Sequence, residues 1–184
     1  MKKKVEILCV LDRSGSMSLI MVEAVAAFNE FVKQQQKVPG KANLTLVAFD
    51  DQYKVVFDRI KIKDVPELKV TDVPPRGMTA LNDAIGKAIN NIPAKSKDVV
   101  LLIQTDGYEN ASQEYKSVQI KELIAGKEKL GWDISFIGAG VDAFSIGGDF
   151  GIKMDKCMNI TKDAKGMRDY VTFTSSVATG YRGS

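Results

Sequence analysis

Residues 5–16 read Val5-Glu6-Ile7-Leu8-Cys9-Val10-Leu11-Asp12-Arg13-Ser14-Gly15-Ser16. Val5–Leu11 is apolar except for Glu6, the pattern of a strand buried on both faces. The switch at Asp12 to acid, hydroxyls and glycine marks a strand end and a loop rich in oxygen donors. Downstream, Met21, Val25, Phe28 and Val32 recur at the spacing of one helical face, and Pro39-Gly40 closes that helix. Asn43–Phe49 reads as a second strand and Tyr53–Ile62 as a third. Asp50-Asp51-Gln52 is too short for anything but a hairpin, so those two strands should be antiparallel.

The same alternation continues to the C-terminus. Val65–Gly77 is a proline-rich loop. A helix should begin near Thr79, run through Ala80, Ala84, Ala88 and Ile92, and stop before Pro93. Asp98–Gln104 is a strongly apolar strand, Ser112–Leu130 an amphipathic helix ended by Gly131, and Asp133–Ile137 a strand ended by Gly138. A short glycine-broken helix over Val141–Phe150, a strand at Cys157–Ile160 and a helix over Asp163–Tyr181 complete the set. Val171-Thr172-Phe173-Thr174 gives that last helix a competing β signal. Strands joined by helical crossovers imply a parallel sheet covered on both faces. The expected fold is α/β, doubly wound, with a mostly parallel six-stranded sheet of order 3-2-1-4-5-6, one antiparallel edge strand and helices on both faces. No repeat or linker interrupts the pattern, so residues 1–184 read as a single domain.

Composition removes several function classes. Net charge is +3, from 26 basic and 23 acidic side chains, too small to argue for nucleic acid. Lys2-Lys3-Lys4 reads as the solvated start of a strand. Val5–Leu11 contains Glu6 and ends at Asp12, unlike the core of a secretory leader, and no run approaches the roughly 18 apolar residues of a membrane helix. The chain is therefore expected to be cytoplasmic. Cys9 and Cys157 form neither a C-x-x-C pair nor a zinc spacing and read as buried thiols. With no histidine in the chain, imidazole ligation and Ser-His-Asp catalysis are both absent. A metal here must be held by oxygen.

In open α/β sheets ligands gather beyond the carboxyl ends of the strands, where strand order reverses. The first strand ends in Asp12, Ser14 and Ser16, and the fourth in Thr105-Asp106-Gly107. Arg76-Gly77-Met78-Thr79 lies where it can close the site from above. Asp12, Ser14, Ser16, Thr79 and Asp106 supply two carboxylates and three hydroxyls. That set suits one hard divalent cation, Mg²⁺ foremost, with Mn²⁺ or Ca²⁺ compatible.

Asp12-x-Ser14-x-Ser16, then Thr79, then Asp106-Gly107, resembles the metal-ion-dependent adhesion site of von Willebrand factor A-type domains. The strings VLDRSGSM, GMTALNDAI and TDGYENAS resemble stand-alone bacterial and phage members of that family. The resemblance implies that Ser14, Ser16 and Thr79 ligate directly, while Asp12 and Asp106 act through waters and hydrogen bonds. It also implies a protein partner that supplies an Asp or Glu to the ion. The first helix N-terminus nearby should favour such an anion. By placement, Arg13, Met17, Arg76, Met78, Tyr108, Glu109 and Asn110 are candidates for the partner surface; the oligomeric state is not legible.

Other readings of the same residues remain open. Asp12 and Asp106 can cap helices. Asp12, Ser14, Ser16 and Glu23 sit at EF-hand spacing, but Met17 replaces the required glycine and a strand precedes. Gly138-Ala139-Gly140-Val141-Asp142-Ala143 matches a dinucleotide fingerprint, for which close backbone packing is the better explanation. A strand-end Asp beside Mg²⁺ also suits phosphotransfer, against which stand Ser14 in place of a second acid and the lack of a general base. A structural role in an assembly is the third alternative.

Overall fold

The structure is a computed structural model and describes residues 3–184; Lys2 of the basic run lies outside the described residues. Six strands form one sheet of order β3-β2-β1-β4-β5-β6. They are β1 (Lys4–Asp12), β2 (Lys41–Phe49), β3 (Tyr53–Lys61), β4 (Val99–Thr105), β5 (Asp133–Ala139) and β6 (Cys157–Ile160). Among the described residues, only β2 and β3 pair antiparallel. This is the sheet the sequence predicts, with the switch point between β1 and β4.

Alternation along β1 divides the core in two. Ile7, Cys9 and Leu11 face α1 (Met21–Lys37) and α5 (Ala164–Gly183). Leu8 and Val10 face α2 (Leu81–Asn91), α3 (Ser117–Lys129) and α4 (Ala143–Asp149). Each fully buried Ile, Leu or Phe contributes about 1.5–3 kcal/mol. Phe31 and Phe136 anchor opposite faces. Both cysteines are free and buried, and burial pushes the Cys9 thiol up to about 12. Among the described residues, no helix is long and apolar enough to cross a membrane.

The edge strand β3 is mostly exposed, with Phe57 as its buried residue. Its register against β2 shifts near Leu46, where Arg59 adopts φ 50°. Such a bulge disrupts the edge ladder that another chain would otherwise extend. Arg59 is held there by Thr45 Oγ1, which accepts its N–H, and by a 2.9 Å ion pair with the buried Glu6.

Two helix starts differ from the sequence reading. α2 begins at Leu81, two residues past Thr79, because Ala80 as its N-cap takes a non-helical backbone (φ −88°, ψ 65°); the N–H groups of Thr79 and Ala80 donate to Asn110 Oδ1 and Asp50 O. α3 begins at Ser117, not Ser112. The Asp83 carboxylate accepts the N–H groups of Gln113, Glu114 and Tyr115, and so fixes that segment as a turn. Gln119 Oε1 then caps the new start by accepting Lys116 N–H at 2.8 Å. The β signal of Val171–Thr174 loses to burial: Tyr170, Val171, Thr174 and Ala178 form one helical face.

Gly138 sits where the fingerprint-like stretch turns. A Cβ there would lie 2.8 Å from Val141 O, and the helix that follows has only 7 residues. Close packing of the β5–α4 turn accounts for that glycine.

Candidate metal centre

β1 delivers Asp12 and the loop Arg13–Ser16 to the switch point, and β4 delivers Thr105 and Asp106 beside them. Asp12 is fully buried. Its Oδ1 accepts Ser14 N–H at 2.7 Å; its Oδ2 accepts Thr105 Oγ1–H at 2.7 Å and Asp106 N–H at 3.4 Å. Burial pushes the Asp12 carboxyl up, hydrogen bonds from Ser14 and Thr105 pull it down, and the charge of Asp106 adds to the rise.

Above Asp12 the hydroxyls gather on Asp106. Its Oδ1 accepts Ser16 Oγ–H at 2.9 Å and Ser14 Oγ–H at 3.4 Å, and the two serine oxygens lie 3.3 Å apart. Asp106 Oδ2 is buried without a hydrogen bond, 2.6 Å from Lys162 Nζ. Ser14 is buried and Ser16 exposed, so the cup opens to solvent on the Ser16 side.

Thr79 arrives from the other side. Asn110 clamps its backbone, accepting Thr79 N–H at Oδ1 (2.8 Å) and donating its own N–H to Thr79 O (3.0 Å). A Cβ on Gly107 would lie 3.3 Å from Thr79 Oγ1, so a side chain there would press on that hydroxyl. Gly15 N–H donates to Gly77 O, and Arg76 N–H to Arg13 O, which stitches the Thr79 loop to the Ser14 loop. Gly77 has φ 66°, and a Cβ there would run into the Asp51 carboxylate.

Hydrogen bonds join Asp12, Ser14, Ser16 and Asp106 of the residues named from the sequence, and Thr79 lies beside Gly107, next in the chain to Asp106. Their oxygens are hard donors, two serine hydroxyls converge on one carboxylate oxygen, and one side is open. This fits a divalent cation held by hydroxyls and carboxylates. Among the described residues, no group of three or more His, Cys, Asp or Glu side chains is arranged to hold a metal. The expected α1 dipole is set back, because a 3₁₀ turn over Gly15–Leu19 intervenes and α1 starts only at Met21.

Three of the candidate partner-surface residues do not present a free side chain. Met17 is fully buried in the α1 face of the core. Arg13 is 5% exposed and paired with the buried Asp50 at 3.4 Å. Glu109 uses its carboxylate internally, accepting from the N–H groups of Asn82, Ala111 and Ser112 and from Ser112 Oγ. Arg76 is half-exposed but braced by Asp50 at 3.0 Å and Gln52 at 2.9 Å. Asn110, though exposed, is committed to Thr79. Met78 and Tyr108 stand exposed. Sequence reasoning placed Thr105 at the strand end without giving it a role, and missed Lys162 and the exposed Leu19 and Val22. Thr105 had a signal in its place just before Asp106; Lys162, remote in sequence on the β6–α5 connection, had none.

Residues 7–109 match the family described as von Willebrand factor type A domain. No curated protein matches the sequence. Among solved structures, proximal thread matrix protein 1 from the mussel byssus, with a zinc-occupied MIDAS motif, superposes with TM-score 0.71 at 18% identity, over 97% of this chain and 46% of that one. The chain thus spans about half the length of the mussel protein. The manganese-loaded TRAP protein of Plasmodium vivax gives TM-score 0.68 at 13% identity, over 98% and 74%. The vWF domain of the type V pili tip protein Mfa5 from Porphyromonas gingivalis gives 0.69 at 11%, over 96% of each chain. At such identities the likeness shows the fold, and the sequence match over more than half the chain shows the family: the chain belongs to the von Willebrand factor type A domain family.

Proposed function

We propose that residues 1–184 act as one metal-dependent protein-binding module. Ser14, Ser16 and Thr79 reach the cation by hydroxyl, Asp12 and Asp106 support it through hydrogen bonds and water, and a partner's Asp or Glu occupies the open side. Bound there, a divalent cation supplies an electrophilic centre for that carboxylate. Mg²⁺ is the preferred ion of this reading, and the zinc and manganese held by the mussel and Plasmodium proteins support a divalent ion in general. The observation that carries the reading is the convergence of Ser14 and Ser16 on Asp106 Oδ1 at the mouth of the switch point. Exposed Leu19, Val22, Met78 and Tyr108 belong to the elements that frame this mouth, which supports a protein partner with apolar side chains beside its acid.

The geometry speaks against Asp12 as a phosphoryl acceptor. Both its oxygens accept hydrogen bonds and the residue has no exposed surface, so an incoming phosphate has no line of approach. The chain is read as a binding protein active in the cytoplasm.

Capture of host proteins on the immobilised chain tests the function, in Mg²⁺ and in chelator, beside a Ser14→Ala/Ser16→Ala variant. Proteins retained by the wild type in Mg²⁺ should be released by chelator and absent from the variant. Equal capture under all four conditions would refute the module.

A further inference from the structure

The cup already holds one cation of its own. Lys162 lies between the end of β6 and Asp163, which caps α5. It belongs to a different part of the sheet from the predicted ligands, which come from β1, β4 and the loop before α2. Its side chain runs over the β5–α4 turn: a Cβ on Gly140 would meet Lys162 Cβ and Cδ, each at 3.7 Å. Gly140 N–H also donates to Ile160 O at 3.0 Å, tying that turn to the start of the Lys162 segment. The segment is rigid at its other end too. Thr161 Oγ1 and Gly166 N both donate to Asp163 Oδ1, and any side chain at Gly166 would collide with the Thr161 backbone.

At the end of this path the Lys162 ammonium lies 2.6 Å from Asp106 Oδ2, the carboxylate oxygen that accepts no hydrogen bond. The other oxygen, Oδ1, carries the serine hydroxyls. Asp106 is thus divided, with one oxygen turned to the ligand hydroxyls and one to a fixed positive charge. The Asp106 side chain is wholly buried, whereas that of Lys162 is 29% exposed, so the lysine has room to leave and the carboxylate does not. A buried carboxylate is costly without a counter-charge. A divalent ion entering beside Oδ1 supplies that charge and repels an ammonium a few ångströms away.

We propose that Lys162 is a built-in counter-cation of the metal centre, which neutralises Asp106 in the metal-free protein, weakens divalent-cation affinity, and is driven off Asp106 when the ion enters. This rests on the metal-centre reading above. It makes the site one whose occupancy follows the supply of divalent cation, in place of a permanently filled structural site. Removing one unit charge so close to a doubly charged ion should tighten binding about tenfold or more, even at an effective dielectric near 20.

The experiment is calorimetric titration of Mn²⁺ into the full chain as wild type, Lys162→Gln and Lys162→Arg, with melting curves of each in chelator and in saturating Mn²⁺. Lys162→Gln should bind Mn²⁺ about tenfold more tightly or better and show a larger metal-induced rise in Tm, while Lys162→Arg stays within about threefold of wild type. Equal or weaker binding by Lys162→Gln overturns the proposal. If Lys162→Gln does not fold, amine labelling of the wild type decides. Acylation of Lys162, read by mass spectrometry, should rise on adding Mn²⁺, and an unchanged extent overturns the proposal equally. Wild type that binds no Mn²⁺ sinks the metal centre itself, whereas wild-type binding with an unchanged Lys162→Gln sinks only the role of the lysine.

Discussion

Thr105→Val tests whether Asp12 is held by the hydrogen bonds drawn around it. The substitution keeps shape and β-branching and removes only the hydroxyl. That hydroxyl donates to Asp12 Oδ2 at 2.7 Å and accepts Gly107 N–H at 3.2 Å. Thr105 and Asp12 are both fully buried, so water does not replace the lost donor. Oδ2 would keep only the long 3.4 Å contact from Asp106 N. A hydrogen bond to a charged buried group is worth about 1.5–3 kcal/mol, and the Gly107 N–H is partly buried, so a loss of about 2–3 kcal/mol is expected. With a urea m-value of about 2 kcal/mol/M, the unfolding midpoint should fall by about 1–1.5 M. The assay is urea denaturation at neutral pH in chelator, which keeps metal linkage out of the difference. Thr105→Ser retains the hydroxyl and should lose less than about 1.5 kcal/mol. A Thr105→Val loss below about 0.5 kcal/mol would refute the claim that Thr105 anchors Asp12.

Two further outcomes concern stability. Asp163→Ala removes the α5 cap, whose carboxyl the Gly166 N–H and the Thr161 hydroxyl hold below its usual range. A depressed folded pKa gives stability that is present above the unfolded value and lost as pH falls through the folded one. The Tm gap between wild type and Asp163→Ala should therefore be full at pH 7 and close in the acid range; a gap independent of pH counts against the cap. Arg182→Ala strips the guanidinium that donates to the carbonyls of Gln35 at 2.7 Å and Val38 at 3.0 Å, at the C-terminal end of α1. It should cost about 2 kcal/mol by chemical denaturation, and a loss within about 0.5 kcal/mol would show that α5 does not depend on this clasp.

The sheet was legible because its strands are apolar runs set apart by helix-length segments, and the hairpin because Asp50–Gln52 is too short to cross over. Asp12, Ser14, Ser16, Thr79 and Asp106 could be named as a candidate group because their chemistry and the switch point coincide. Element boundaries were less legible where polar side chains capture backbone N–H groups at a distance. Asp83 holds Gln113–Tyr115 ahead of α3, about 30 residues downstream, and Asn110 holds Thr79 ahead of α2. No local pattern encodes such bonds. The partner surface was the least legible, since loop position alone does not tell an outward side chain from an inward one. Met17 and Met78 read alike in sequence; one fills the core and the other is 55% exposed.

The two aspartates also read alike, and the structure separates their roles. Asp12 is enclosed: its acceptors take an N–H from the loop after β1 and O–H and N–H groups from the end of β4 and the residue after it, so it fixes the distance between the two loops. Asp106 lies at the mouth, where it takes two hydroxyls on one oxygen and an ammonium on the other. A carboxylate whose oxygens are saturated by the scaffold neither moves toward an ion nor contributes its full charge to it. The second carboxylate is partly offset by Lys162. The saturation of Asp12 leaves more of a divalent ion's charge for a ligand from outside, while Lys162, driven off Asp106 as the ion enters, weakens the hold on the ion. The fold would then build a weaker metal site and a stronger anion receptor from the same residues, which is the balance that the proposed recognition of an acidic partner requires.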